Sequence, residues 1–136
     1  MFNFPQRWTE DWNRLDLAGD SVCLDRLLAS HAGPGRHYHT LQHLSECLTL
    51  FAEVAPLAHH PGEVAIALWF HDAIYVPRAP DNEARSAAWA AQALRDAGAA
   101  EAAIARIEAL IMATAGHDAH GSQAGVRSDI RTQALL

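Results

Sequence analysis

Residues Ala67 to Tyr75 read A-L-W-F-H-D-A-I-Y. From Ala65 to Phe70 the chain is apolar without a break, and Ala73 and Ile74 follow. This run predicts a helix buried on several sides that ends near His71 and Asp72, leaving both in a water-poor setting. A carboxylate withdrawn from water is costly unless it is paired or bound to a cation. Histidine beside aspartate is therefore a poor core filler and a good pair for a divalent metal. The competing reading is a helix C-terminus with a polar pair, in which His71 rests on the last carbonyls. Adjacent helical residues point about 100° apart, so the pair can reach one ion only near a helix end. The segment V-P-R-A-P, Val76 to Pro80, cannot continue a helix and supports an end there.

Outward from this stretch almost every segment has helical period and none alternates, which predicts an all-α bundle of five to seven helices. Pro5 opens a first helix reaching about Leu17, with Trp8, Trp12 and Leu15 on one face. Asp20 or Ser21 caps a second, through Ser30, with Leu24, Leu27 and Leu28 inward. His31 to Tyr38 is a loop broken by Gly33, Pro34 and Gly35. Thr40 caps a third helix with Leu41, Leu44, Leu48 and Phe51 on its apolar face, His43 at the border of that face and Cys47 one turn further on. Pro61 opens the helix of the His-Asp pair. Asp81 caps a fifth, which Gly98 stops. A sixth runs from about Glu101 to Ala115, with Ile104, Ile107, Leu110 and Ile111 inward.

A chain of 136 residues, half of them hydrophobic, fits one domain spanning 1–136. Its net charge of -6 argues against a broad electrostatic grip on nucleic acid. That charge leaves room for a small phosphorylated substrate, because a bound metal supplies local positive charge. No stretch is long and apolar enough to span a membrane. The start, M-F-N-F-P-Q-R-W, lacks the pattern of a signal peptide, so the expected compartment is the cytoplasm. Cys23 and Cys47 stand far apart in helical patterns and read as small buried hydrophobes.

Four motifs occur in order: R-H-Y-H-T-L-Q-H (Arg36 to His43), W-F-H-D (Trp69 to Asp72), D-N-E-A-R-S-A (Asp81 to Ala87) and A-T-A-G-H (Ala113 to His117). In this order and spacing the chain resembles the HD superfamily of metal-dependent phosphohydrolases, and most closely a small bacterial branch of it. The likeness covers about Arg36 to His117 and fades at both ends. It implies a compact helical bundle of the HD type, with a C-terminal end shortened relative to relatives. It implies His43, His71, Asp72 and Asp129 as metal ligands. Asp129 is the nearest match to a D-x-D-L-like segment, although Arg127 stands where the first aspartate would be.

Two imidazoles with two carboxylates suit manganese, iron, cobalt, nickel or zinc better than magnesium. The implied activity is hydrolysis of a small phosphate ester, a nucleotide among the candidates, by metal-activated water. Asp72 would steer or deprotonate that water. His39 would orient substrate or protonate the leaving group. Arg36 reads as a phosphate clamp or as an ion-pair partner of Glu83 or Asp81. Glu83 reads as a brace for the loop after the metal pair. The alternative function is a non-catalytic metal- or nucleotide-binding helical module descended from such an enzyme. Because relatives continue with further helices, the faces Leu41 to Phe51 and Ile104 to Ile111 are expected to be under-covered, and a homodimer would cover them.

Overall fold

The computed structural model describes residues 2–33 and 40–114, and over them the protein is an all-helical bundle. Six α-helices follow in chain order, with no strand among the described residues. They are α1 (Phe4–Asn13), α2 (Ser21–His31), α3 (Leu41–Val54), α4 (Pro61–Phe70), α5 (Asn82–Ala97) and α6 (Glu101–Ala113). A single turn of 3-10 helix, Ala55–Leu57, extends α3. No helix among the described residues is long and apolar enough to cross a membrane.

Local chemistry sets the helix ends. The side chain of Asn3 accepts a hydrogen bond from the Gln6 amide at 3.0 Å. Asp20 accepts from the amides of Val22 and Cys23, each at 3.3 Å. Thr40 Oγ1 accepts from the His43 amide at 3.2 Å. Each satisfies an amide that has no partner inside its helix. Asp81 occupies the cap position of α5, but its side chain makes no capping bond there. Gly98 ends α5 with φ of +93°, a conformation that glycine adopts without strain. The first helix stops at Asn13, short of the expected Leu17. There the amides of Leu15 and Asp16 turn to Trp12 and Asn13, three residues back, and Asp16 sits at φ +58°.

The axis of the bundle is α4. It packs against α1, α3, α5 and α6, and Gly62 through Phe70 are all buried. A helix that is apolar all round has no face to offer to water, so it must lie at the centre. Gly62 admits the close approach of α1. A Cβ at this position would stand 2.9 Å from Cβ of Arg14 and 3.0 Å from Leu15. Two buried carboxylates fasten α4 to its neighbours. Glu63 takes a two-pronged grip from Arg106 of α6, with both contacts at 2.8 Å. Asp11 of α1 is fully buried, accepts from Trp69 Nε1 at 2.9 Å, and is flanked by Arg7 and Arg14 at 3.3 Å. Arg7 in turn donates to the Leu48 carbonyl at 2.6 Å and so reaches α3. Trp8, Trp12, Phe4 and Trp69 interlock edge to face around this point.

The faces expected to be under-covered are covered within the chain. Leu44, Leu48, Phe51, Ile104, Ile107 and Ile111 are each at most 1% exposed. α4 supplies the missing cover, and the argument for a homodimer from those faces loses its ground.

Asp11 holds α1 to α4 by accepting from Trp69 Nε1, while Arg7 and Arg14 of its own segment neutralise it. Asp11→Ala strands the Trp69 donor and removes the partner of two guanidinium groups, so it should destabilise the protein by about 3 kcal/mol. Asp11→Asn keeps an acceptor and should cost about 1 kcal/mol. Urea unfolding followed by tryptophan fluorescence reads both, and equal small losses would refute this role.

Candidate metal centre

The N-terminal end of α3 and the C-terminal end of α4 meet at a small polar cluster. On α3, His43 lies in the first turn, where the Thr40 cap fixes its backbone. Cys47 follows four residues later on the same side of the helix, with Sγ 3.6 Å from His43 Nε2. On α4, His71 is the C-cap residue, and its amide bonds to the Ala67 carbonyl at 2.8 Å. Its Nδ1 lies 2.7 Å from the Leu68 carbonyl. A carbonyl can only accept, so Nδ1 carries the hydrogen and Nε2 is the nitrogen turned to the cluster.

Asp72 stands between the two histidines. Its Oδ2 is 3.1 Å from His71 Nε2 and 3.4 Å from His43 Nε2, with the carboxylate 2% exposed. His71 Nε2 is buried and makes no hydrogen bond, although an oxygen lies at hydrogen-bonding distance. The ligand atoms of His43, Cys47 and His71 all lie within 4.8 Å of one another, a grouping that can hold a metal ion.

The loop that leaves the cluster is pinned from α5. Asn82 accepts from the Val76 amide at 2.9 Å and donates to the Val76 carbonyl at 3.0 Å. Ser86 accepts from the Ile74 amide at 3.0 Å. The brace expected of Glu83 is therefore made by Asn82 and Ser86. Their short side chains reach the loop backbone from the first turns of the helix.

The cluster shifts the proton affinities of its members. Hydrogen bonding to Asp72 and then to Cys47 outweighs burial and lifts the pKa of His43 to about 10. Burial opposes a charge on His71, but the Asp72 carboxylate prevails and holds its pKa well above the ordinary imidazole value. Burial raises the Cys47 thiol, yet the two imidazoles reverse this and bring it down to about 7. Cys23, half-buried and away from the cluster, is pushed up to about 11 by burial and by Asp20.

Of the residues singled out in the sequence, His43, His71 and Asp72 meet at one point. Arg36, His39 and Asp129 lie outside the described residues. Cys47 is buried in the core, as its helical pattern predicts, and its Sγ also borders the cluster. The signal that marks it is its spacing of four residues from His43 on one helix. His71 does rest on a terminal carbonyl of its helix, as the bland reading had it, but only through Nδ1. A separate cavity of about 440 Å³ is lined by residues including Trp12, Asp20, Arg26, Trp89 and Asp96, and it shares none of the cluster's residues.

Comparison with known proteins finds no matching family model, no similar curated protein and no similar solved structure.

Cation binding must displace the protons that the cluster holds in the metal-free protein. His43 keeps its proton up to about pH 10. Metal affinity should therefore climb as pH rises from 6 to 9, by about tenfold per pH unit for each proton displaced. Calorimetric titrations in buffers of different ionisation enthalpy count those protons. Binding without proton release would place the ion elsewhere.

Proposed function

We propose that this chain is a metal-dependent phosphohydrolase acting on a small phosphate ester, a nucleotide among the candidates. One observation carries the reading. A fully buried imidazole nitrogen of His71 faces the Asp72 carboxylate without a hydrogen bond, at a helix end where His43 arrives from a second helix. The resemblance of the four motifs to HD phosphohydrolases supports it from the sequence side.

In this reading His43, His71 and Asp72 hold one divalent transition ion, and Asp129 adds a second carboxylate. The donor set fits such an ion, because the Leu68 carbonyl fixes the His71 tautomer and a buried carboxylate calls for a cation. A bound ion supplies Lewis acidity, lowering the pKa of water and neutralising charge on a phosphoryl group. The chain's own residues do the rest. Asp72 orients the attacking water and takes its proton. Arg36 grips the phosphate in a fork. His39 gives a proton to the leaving oxygen. The Asn82 and Ser86 contacts hold the loop beside the pair in a fixed position.

Purified protein should hold about one divalent transition ion per chain by elemental analysis and turn over at least one member of a panel of phosphate esters. The His71→Ala, Asp72→Ala double variant should lose metal and at least about 100-fold in activity. An equal metal load in the two proteins would refute the site. A full metal load without turnover of any ester would replace the enzyme with a non-catalytic metal-binding module.

A further inference from the structure

We propose that Cys47 is a thiolate ligand of this metal centre and turns it into a four-donor site of two imidazoles, one thiolate and one carboxylate, selective for zinc over manganese. The inference rests on the metal reading of the cluster given above and concerns which donors the chain supplies.

Three observations carry it. The Cys47 side chain is placed by its helix. It lies one turn after His43 on α3, is 4% exposed, and its Sγ falls inside the cluster with both histidine nitrogens. His71 Nε2 is buried, makes no hydrogen bond, and lies in the same group of atoms as Sγ. The spacing of the donor atoms also admits a four-coordinate ion. With bonds of about 2.0–2.2 Å to nitrogen and oxygen and about 2.3 Å to sulfur, a tetrahedral angle sets nitrogen and oxygen about 3.4 Å apart and nitrogen and sulfur about 3.6 Å apart. Right angles, as around a six-coordinate ion, would set them about 2.9 and about 3.1 Å apart. The observed separations are 3.6 Å for Cys47 Sγ to His43 Nε2 and 3.4 Å for His43 Nε2 to Asp72 Oδ2. Both match the tetrahedral case. The third, 3.1 Å between His71 Nε2 and Asp72 Oδ2, falls between the two.

A soft thiolate with two imidazoles in tetrahedral array favours zinc, while manganese and magnesium prefer harder oxygen donors and six positions. Cys47 therefore narrows the ions this site takes. It also supplies a further donor from among the described residues. Zinc can expand to five donors, so a position stays within reach of water or a phosphate oxygen.

The test is the electronic spectrum of the full chain, stripped with a chelator and loaded with Co²⁺ as a reporter for zinc. The proposal expects one cobalt per chain, the intense visible bands of a four-coordinate ion, and a sulfur-to-cobalt charge-transfer band in the near ultraviolet. That band should vanish in Cys47→Ala and persist in Cys23→Ala. Competition titrations should show zinc weakened at least about tenfold in Cys47→Ala, with manganese affected less. A merely structural role would weaken both ions alike, and circular dichroism verifies that the variant is folded. Cys47→Ser serves as a second variant with an oxygen in place of sulfur. One cobalt per chain without the charge-transfer band overturns thiolate ligation and leaves the metal centre standing. No cobalt bound at all overturns both.

Discussion

A carboxylate kept out of water at the end of a helix with no free face is the constraint on which this structure turns. Asp72 is nearly inaccessible, and the helix that carries it is buried from Gly62 onward. An unpaired anion in that position would cost several kcal/mol even after relaxation. Something cationic must stand beside it. This is supplied by protons on His43 and His71, whose pKa values are both raised by Asp72. The N-terminal turn of α3 must then lie against the C-terminal end of α4, and the Thr40 cap fixes where that turn begins.

Three carboxylates are buried among the described residues, and they are neutralised in two different ways. Asp11 and Glu63 meet arginines. A guanidinium keeps its charge at any ordinary pH, so Asp11 is neutralised permanently within its own segment and the Glu63–Arg106 fork is a permanent fastening between α4 and α6. Asp72 meets the imidazoles of His43 and His71 instead. Those groups hold their protons more firmly than free imidazoles, and a divalent cation can take the place of the protons. The same burial that requires a counter-charge thus produces fixed ion pairs at Asp11 and Glu63 and, beside Asp72, a group of side chains that can hold a metal ion. The rigid setting follows from the packing, since α1, α3, α5 and α6 all close on this one helix.

Much of the bundle was legible in the residues. Hydrophobic period placed Leu24, Leu27, Leu44, Leu48, Ile104, Ile107 and Ile111 inside, and Asp20, Thr40 and Gly98 marked helix ends through their local chemistry. The continuous apolar run before His71 carried the further message that its helix is central. Less legible were the roles of Asp11 and Glu63, which look like ordinary surface acids until Arg7, Arg14, Trp69 and Arg106 are brought beside them. The supposed shortage of cover on α3 and α6 was misjudged for the same reason. A face looks open in sequence until its partner helix is known.

The sequence by itself determined which segments are helices, which faces they bury, and that a histidine and an aspartate stand at the end of the most buried one. These properties depend on residues within a few turns of each other, where spacing fixes direction. Only the tertiary structure decided that Cys47 joins the cluster, that Asn82 and Ser86 brace its loop, and that His71 divides its two nitrogens between a helix carbonyl and the cluster. The side of a helix on which Cys47 lies can be read from its spacing to His43. What that side faces depends on how two helices separated by a loop come to pack, and burial against a common core sets that, not any local pattern.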